Sequence, residues 1–477
     1  MPARVVVAGT RSGVGKTSVA VGLMAALARR GVAVSNHKAG PDFLDPGYHA
    51  VATGRPPRNL DVVLHGADTL APLLAHQAAG AEVAVVEGVM GMFDGRDSGD
   101  EASTAHVARL LDAPVVLVVD ASASSRSVAA EVHGFATFDP TVRVGGVIVN
   151  EVYSDGHERM VREALAPLDV PVLGIVRHHA DLVTPSRHLG LIPAAERDAD
   201  ARRTVSALAD VVTAGVDLDA VVALARSAPR RDVVPWSPAA AVGGEPTAGA
   251  SAGSGRPVVA VAGGAAFTFT YAEHAELLAA AGCDVVTFDP LHDEALPDGT
   301  AAVVIGGGFP ETHLDTLAAN VPLRRAVAGF DGPVVAECGG LLYLCRSLDG
   351  VELCGVLDAE AVMSPGLVLG YRDVTAATDS VLGPAGTRAT GHEFHRTVVT
   401  PRAGAAPSAA PAWDLGPGFG QDVRGAGPLE GFVTGTVHAS YVHTSWVGQP
   451  ALAANLAASA RRHPVGGHAA TEHRTRR

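Results

Sequence analysis

The chain has 477 residues, with 36 Lys and Arg against 50 Asp and Glu and a formal net charge of −14. That length allows roughly two to four domains, and a composition 47% hydrophobic and 18% charged excludes disorder. The acidic balance argues against a nucleic-acid or membrane-surface partner, no run of 18 apolar residues offers a membrane span, and four cysteines without a CxxC pair form no disulfide framework.

Arg4-Val5-Val6-Val7-Ala8 opens the chain as a strand, not as the basic-then-apolar layout of an export signal, so a reducing, cytoplasmic setting is expected. Strands are predicted at Val5–Ala8, Val32–Asn36, Val83–Glu87, Val115–Asp120, Gly145–Asn150 and Val172–Val176, with helices such as Thr17–Arg29 between them. Apolar strands alternating with helices predict an α/β fold whose doubly wound parallel sheet is covered on both faces. Residues 1–226 form this first domain, and 227–256, rich in Pro, Ala, Gly and Ser, read as a flexible linker. A second α/β domain spans 257–460, with strands at Val258–Ala262, Asp284–Phe288, Ala302–Ile305 and Val334–Glu337 and a helix near Ala272–Ala281. A long loop is expected around Pro401–Gly427, and 461–477 is expected to be a disordered tail.

Gly9-Thr10-Arg11-Ser12-Gly13-Val14-Gly15-Lys16-Thr17 lies between the first strand and an apolar-periodic helix, the setting of a phosphate loop. Gly13, Gly15, Lys16, Thr17 and Ser18 are the expected nucleotide-binding residues, with Lys16 on the β/γ-phosphates of ATP and the Thr17 hydroxyl on Mg²⁺. Thr10 stands where the motif's first glycine would be, and also where partitioning ATPases carry an extra lysine. The loop therefore points to a synthetase acting on a small substrate. Only two lysines occur, Lys16 and Lys38, and both lie in Gly-rich loops where a compact point charge matters. Mg²⁺ takes hard oxygen ligands, and Asp42 and Glu87, at the carboxyl ends of strands, are its candidate carboxylates. Asp45 and Asp94, three and seven residues further on in loops, are expected to face the acceptor substrate, although an Asp before Pro or Gly also serves as a plain turn former.

In the second half, Val334-Val335-Ala336-Glu337-Cys338-Gly339-Gly340-Leu341 reads as strand, sharp turn and helix, which makes Cys338 a candidate nucleophile with a thiol lowered by the helix N-terminus. Backbone N–H groups of Gly307, Gly308 and Gly339 are the candidate oxyanion hole. His438 and His443 are the available bases, and His392-Glu393-Phe394-His395 is not a zinc motif because Arg396 breaks the spacing. Cys283, Cys345 and Cys354 read as packed thiols.

Taken together these motifs resemble the cobyrinic/hydrogenobyrinic acid a,c-diamide synthase family. The marks are Gly-Pro-Asp-Phe-Leu-Asp-Pro at 40–46, Arg58-Asn59-Leu60-Asp61, Glu87-Gly88-Val89-Met90-Gly91, Pro185–Leu191, Ala266-Phe267, Gly307–Glu311, Glu337–Gly340 and the closing His438–His443. The first half also resembles dethiobiotin synthetase and the second the class I glutamine amidotransferases. The resemblance implies ATP- and L-glutamine-dependent amidation of the a and c acetates of hydrogenobyrinic or cobyrinic acid in cobalamin biosynthesis. It implies Cys338 and His443 as the catalytic pair and Lys38, Asp45 and Asp94 around the acyl phosphate, and a homodimer is consistent with it. Glutamine amidotransferases usually have Glu two residues after the histidine; here Ser445 stands there, so no third catalytic member is named. Alternatives are a cobyric acid synthase-type or nickel-sirohydrochlorin-type amidoligase, or, in another class, a phosphate-loop switch ATPase with an inactive glutaminase half.

Overall fold

The computed structural model describes residues 1–96, 98–179, 186–187, 190–191, 198–243, 255–405, 407–415 and 429–463. In the first half, β1 (Ala3–Gly9), β2 (Val34–Ala39), β3 (Asn59–Leu60), β4 (Val83–Glu87), β5 (Val115–Asp120), β6 (Val144–Val152) and β7 (Val172–Arg177) form one sheet in the order β3-β2-β4-β1-β5-β6-β7. Every pairing in it is parallel. Helices on both faces explain the uninterrupted apolar runs: Val6 and Ala8 of β1 feed one core, Val5 and Val7 the other. The strand order reverses at β1, and at such a switch point the loop into the next helix, α1 (Lys16–Arg29), opens a ligand crevice. The second strand lies at Val34–Ala39, slightly later than Val32–Asn36, because Gly31-Val32-Ala33 completes the turn after α1.

A short hairpin, β8 (Ser186–Arg187) and β9 (Gly190–Leu191), follows; Pro185, His188 and Leu189 of that predicted motif lie outside the described residues. In the second half β10 (Val258–Ala262), β11 (Asp284–Phe288), β12 (Thr300–Ile305) and β13 (Val334–Glu337) pair in parallel. The chain then makes a sheet that the strand prediction missed: β14 (Cys345–Leu348), β15 (Val351–Glu352), the long β16 (Leu357–Ala376), β17 (Arg388–Thr400), β18 (Trp413–Leu415) and β19 (Leu429–Glu430). Strand β18 lies inside the stretch expected to be a loop and pairs with β16; residues 416–428 are not described. Finally β20 (Phe432–Thr434) and β21 (Val437–Ser440) rejoin the parallel sheet beside β13, while β22 (His443–Thr444) pairs with β17. The last crossing between sheets sets His443 beside the end of β13, where Cys338 stands.

The first part of the expected linker is packed rather than free. The Met1 ammonium donates to the Arg231 carbonyl at 2.7 Å, and the Trp236 N–H to that of Pro72 at 2.9 Å. The Trp236 ring lies edge-on to His76 and touches the cores of both halves. An indole buries enough apolar area to outweigh the ordering cost of the Gly/Ala-rich stretch around it. Residues 244–254 and 464–477 of the predicted linker and tail lie outside the described residues.

The Arg58-Asn59-Leu60-Asp61 motif turns out to be an interface device. Arg58 donates to Glu273 at 2.9 Å and to Glu276 at 3.0 Å, both on the helix Ala272–Ala280, and Tyr371 of β16 donates to Asp61 at 2.7 Å. Arg58 is 6% exposed and Glu273 2%. Breaking a buried ion pair from one side leaves an uncompensated charge. Arg58→Ala is therefore expected to lower the unfolding free energy by about 3–5 kcal/mol, checked by urea unfolding of the whole chain.

Candidate active site

The phosphate loop is shaped by two left-handed glycines, Gly13 at φ 81° and Gly15 at φ 89°, the latter capping α1. A side chain on Gly15 would collide with Asn150, whose amide donates to the Val14 carbonyl at 3.0 Å and braces the loop from the end of β6. Ser18 is half-buried in the first turn of α1, and Lys16 donates to the Met90 carbonyl at 3.1 Å.

Beside this loop the ends of β2 and β4 and the start of α2 (Asp45–Thr53) converge. The Lys38 ammonium sits 2.7 Å from Asp45, 2.8 Å from Glu87, 3.0 Å from the Gly88 carbonyl and 3.8 Å from Asp42. Thr17 Oγ1 donates to Glu87 at 2.6 Å and reaches Asp45 at 3.3 Å. The two carboxylates of this loop are placed differently. Asp45 joins Thr17 and Glu87, whereas Asp42 Oδ1 accepts from the Leu44 N–H at 2.7 Å and so holds the turn into α2. Asp94 is a turn former as well, accepting from the Gly91 N–H at 2.9 Å beside the phosphate loop. Sequence reasoning missed His49, which is fully buried and lies 2.6 Å from Glu87; its place one helical turn after Asp45 was the available signal.

Three carboxylates surround one contacting ammonium, so negative charge is in excess. Burial would pull the Lys38 proton off, but Asp45, Glu87 and Asp42 outweigh it and hold Lys38 charged. Burial, with Asp42 close by, pushes the Asp45 carboxyl well above its usual range. Glu87 stays ionised against its burial because Lys38 and His49 face it. Among the described residues no set of three His, Cys, Asp or Glu side chains stands ready to take a metal alone. The oxygens of Thr17, Asp45 and Glu87 nevertheless suit a hard cation that brings phosphate oxygens as its remaining ligands.

In the other half, Cys338 has φ 50°, a left-handed conformation unusual for a residue with a side chain. It projects from the turn between β13 and the helix Gly339–Leu344. Gly307 separates Cys338 from His443: a Cβ on it would lie 2.3 Å from Cε1 of His443 and 3.3 Å from Cβ of Cys338. Only glycine fits between them. The Gly307 N–H donates to the Phe269 carbonyl at 3.2 Å and is therefore not available to an oxyanion, which corrects the expectation for that residue. Gly308 N lies 2.9 Å from the position a Cβ on Gly339 would take, so these two glycines remain close together. The expected lowering of the thiol is also corrected. Burial, with Glu311 behind it, pushes the Cys338 thiol up, and the Gly339 N–H offsets only part of this.

His443 is fully buried, and neither ring nitrogen has a hydrogen-bond partner among the described residues. Burial, then the nearby His392, His395 and His274, hold its pKa well below the usual value, so the ring is a neutral base. Ser445 is buried with its hydroxyl unpartnered and supplies no acid. His438 faces elsewhere, bonded to Ser380 at 3.1 Å and edge-on to Trp413. Glu337 was missed as a brace: it accepts from both the N–H and the hydroxyl of Thr444, at 3.1 and 2.6 Å, and so ties the residue before Cys338 to the one after His443. Burial lifts its carboxyl to about 7.

A phosphate loop ringed by carboxylates and a cysteine elbow facing a histidine, held in one chain, define an ATP-binding ligase half joined to a glutamine amidotransferase half. Residues 5–192 match the CobQ/CobB/MinD/ParA nucleotide-binding domain, and 258–451 match the CobB/CobQ-like glutamine amidotransferase domain. The chain is 56% identical over 476 residues to the hydrogenobyrinate a,c-diamide synthase of Streptomyces coelicolor, a match covering 94% of this chain and 96% of that one. It is 52% identical to the Thermobifida fusca protein of the same name, over 96% of each chain. It is 41% identical to the cobyrinate a,c-diamide synthase of Syntrophotalea carbinolica, over 94% of this chain and 97% of that one. The chain belongs to the hydrogenobyrinate/cobyrinate a,c-diamide synthase family. Among the described residues no helix is long and apolar enough to cross a membrane.

Proposed function

We propose that the protein amidates the a and c acetate carboxylates of hydrogenobyrinic acid, using ATP and glutamine. The observation that carries this reading is near-full-length similarity across both halves to proteins named for that reaction. Among eight relatives compared, those named for the hydrogenobyrinate reaction share 49–56% identity with this chain and those named for cobyrinate 37–41%, which favours the metal-free ring.

The chemistry divides between the two centres. Lys16 and the loop N–H groups hold the ATP phosphates in line with a corrin acetate. The carboxylate oxygen attacks the γ-phosphorus, ADP leaves, and an acyl phosphate forms. Thr17, Glu87 and Asp45 would hold Mg²⁺, whose bound charge offsets that developing on the phosphoryl oxygens. Lys38 offsets the repulsion among the carboxylates and offers its charge to the acyl phosphate. In the second centre His443 takes the Cys338 proton as sulfur attacks the glutamine amide, while Gly308 and Gly339 N–H groups face the oxyanion. Ammonia departs, and water cleaves the glutamyl thioester to glutamate. Ammonia then displaces phosphate from the acyl phosphate, leaving the amide.

The test is to supply the purified chain with ATP, glutamine and equal amounts of metal-free and cobalt-bearing heptacarboxylate. Mass spectrometry should find two amide nitrogens added, first to the metal-free ring. Preferential conversion of the cobalt form would overturn the substrate assignment, and no amide on either ring would overturn the reaction.

A further inference from the structure

The loop carrying Asp42 and Asp45 also carries Phe43, and this ring crosses into the other half. Its centroid lies 5.0 Å from Phe269, stacked at 8°, 4.8 Å from Tyr271, 5.5 Å from His392 and 5.1 Å from His443. The base of one centre is thus packed by a residue flanked in sequence by the carboxylates of the other. Because His443 has no hydrogen-bonded partner among the described residues, ring contacts with Phe43 and His392 take the orienting place that a carboxylate would fill. The loop's position is fixed on the synthetase side: Asn59 donates to the Gly40 and Asp42 carbonyls at 2.8 and 2.7 Å, and Asp42 accepts from Leu44 N–H.

Phe43 also lines a cavity of about 270 Å³ between the halves, together with Asp42, Asn59, Thr268, Thr270 and Tyr271. The hydroxyls of Thr268, Thr270 and Tyr271 are buried without a partner, and buried hydroxyls ordinarily find one. The phenyl ring therefore packs against His443, and the same side chain walls a cavity that reaches Asp42.

We propose that Phe43 is a positioning residue and valve between the two centres. Seated, it orients His443 and separates it from the cavity; displaced, it lets ammonia pass from Cys338 through the cavity toward the Asp42–Asp45 loop. Rearrangement of that loop around bound nucleotide and corrin then becomes the signal that glutamine hydrolysis obeys. The proposal rests on the reading of Cys338 and His443 as the glutaminase pair.

The experiment follows amide-¹⁵N glutamine against unlabelled ammonium in Phe43→Ala, Phe43→Leu and Phe43→Tyr forms of the full chain. Phe43→Ala is expected to raise the share of product nitrogen drawn from bulk ammonium, and the glutamate released per amide formed, by roughly tenfold, a loss of about 1.4 kcal/mol in discrimination between the two nitrogen sources. The groups facing His443 are His392 and His395 of β17, His274 of the helix Ala272–Ala280, and Cys338 across Gly307. None supplies a negative charge at neutral pH, so water admitted by Phe43→Ala should move the acid limb of the glutaminase pH profile upward, toward about 6.5. Phe43→Tyr should restore all three readouts. Should Phe43→Ala fail to fold, Phe43→Leu keeps apolar bulk without the aromatic stack and should show the same changes. Parental nitrogen source, stoichiometry and pH profile in the folded variants would overturn the valve. Cys338→Ala is run alongside: glutamine still feeding nitrogen to product without Cys338 would overturn the underlying glutaminase reading instead.

Discussion

Cys338→Ala is expected to reduce glutamine-dependent amidation by about 10⁴-fold or more, as loss of a covalent nucleophile does. Amidation with free ammonia should stay within about threefold of the parent, since removing one sulfur from a packed turn leaves the carboxylate centre untouched. The contrast follows from the separation of the two chemistries. The Cys338 thiol is pushed up by burial and His443 is held neutral, so the resting pair carries no charge. Thiolate forms only as the proton crosses to the imidazole during attack, and alanine offers no substitute. Glutamate release and amide formation from each nitrogen donor, measured side by side, check the prediction. Loss of both activities together in a folded variant would mean that the two centres are not chemically independent.

Lys16→Ala is expected to have an effect of similar size at the other end of the reaction. Its ammonium already stands over the loop, donating to the Met90 carbonyl, and Met90 holds an uncommon φ of 47° that turns this carbonyl inward. Burial and the Lys38 charge make the position costly for a cation, a cost offset when phosphate arrives. Removing the ammonium should slow ADP release driven by the corrin acid by about 10³-fold or more, the scale of one lost electrostatic partner in a water-poor site. Lys16→Arg should restore little, because a planar fork does not enter a loop shaped around a point charge. The Cys338 centre should still titrate with a thiol-directed glutamine analogue. Near-parental ADP release by Lys16→Ala would remove this loop from the mechanism.

Much of this was legible in the residues because each signal was local. A strand followed by Gly13-x-Gly15-Lys16-Thr17 needs no distant partner to be understood, and neither does Glu337-Cys338-Gly339-Gly340. What escaped depended on contacts far apart along the chain. Leu357, Ala359 and Ala361 alternate with Asp358 and Glu360, a clear period of two, yet the partner strand lies beyond a turn and the third sheet could be assembled only in space. Asp42 and Asp45 share one loop and one chemistry; which of them faces Thr17 depends on where α2 begins. Arg58 and Asp61 read only as part of a family mark, since their partners Glu273, Glu276 and Tyr371 lie more than 200 residues away. Cys338 shows a weighing that sequence does not settle: a helix N-terminus lowers a thiol, burial raises it, and burial is the larger here.

The chain's two lysines both face the same carboxylate cluster. Apart from Met1, every primary amine in the molecule therefore belongs to the nucleotide cradle, and the two are unequal: Lys38 is locked in its protonated form, while Lys16 gives up its proton more readily. An acylating label thus becomes an address-specific footprint: beside the tag that Met1 takes in either state, Lys16 gains one in the empty enzyme and none once triphosphate has taken its seat.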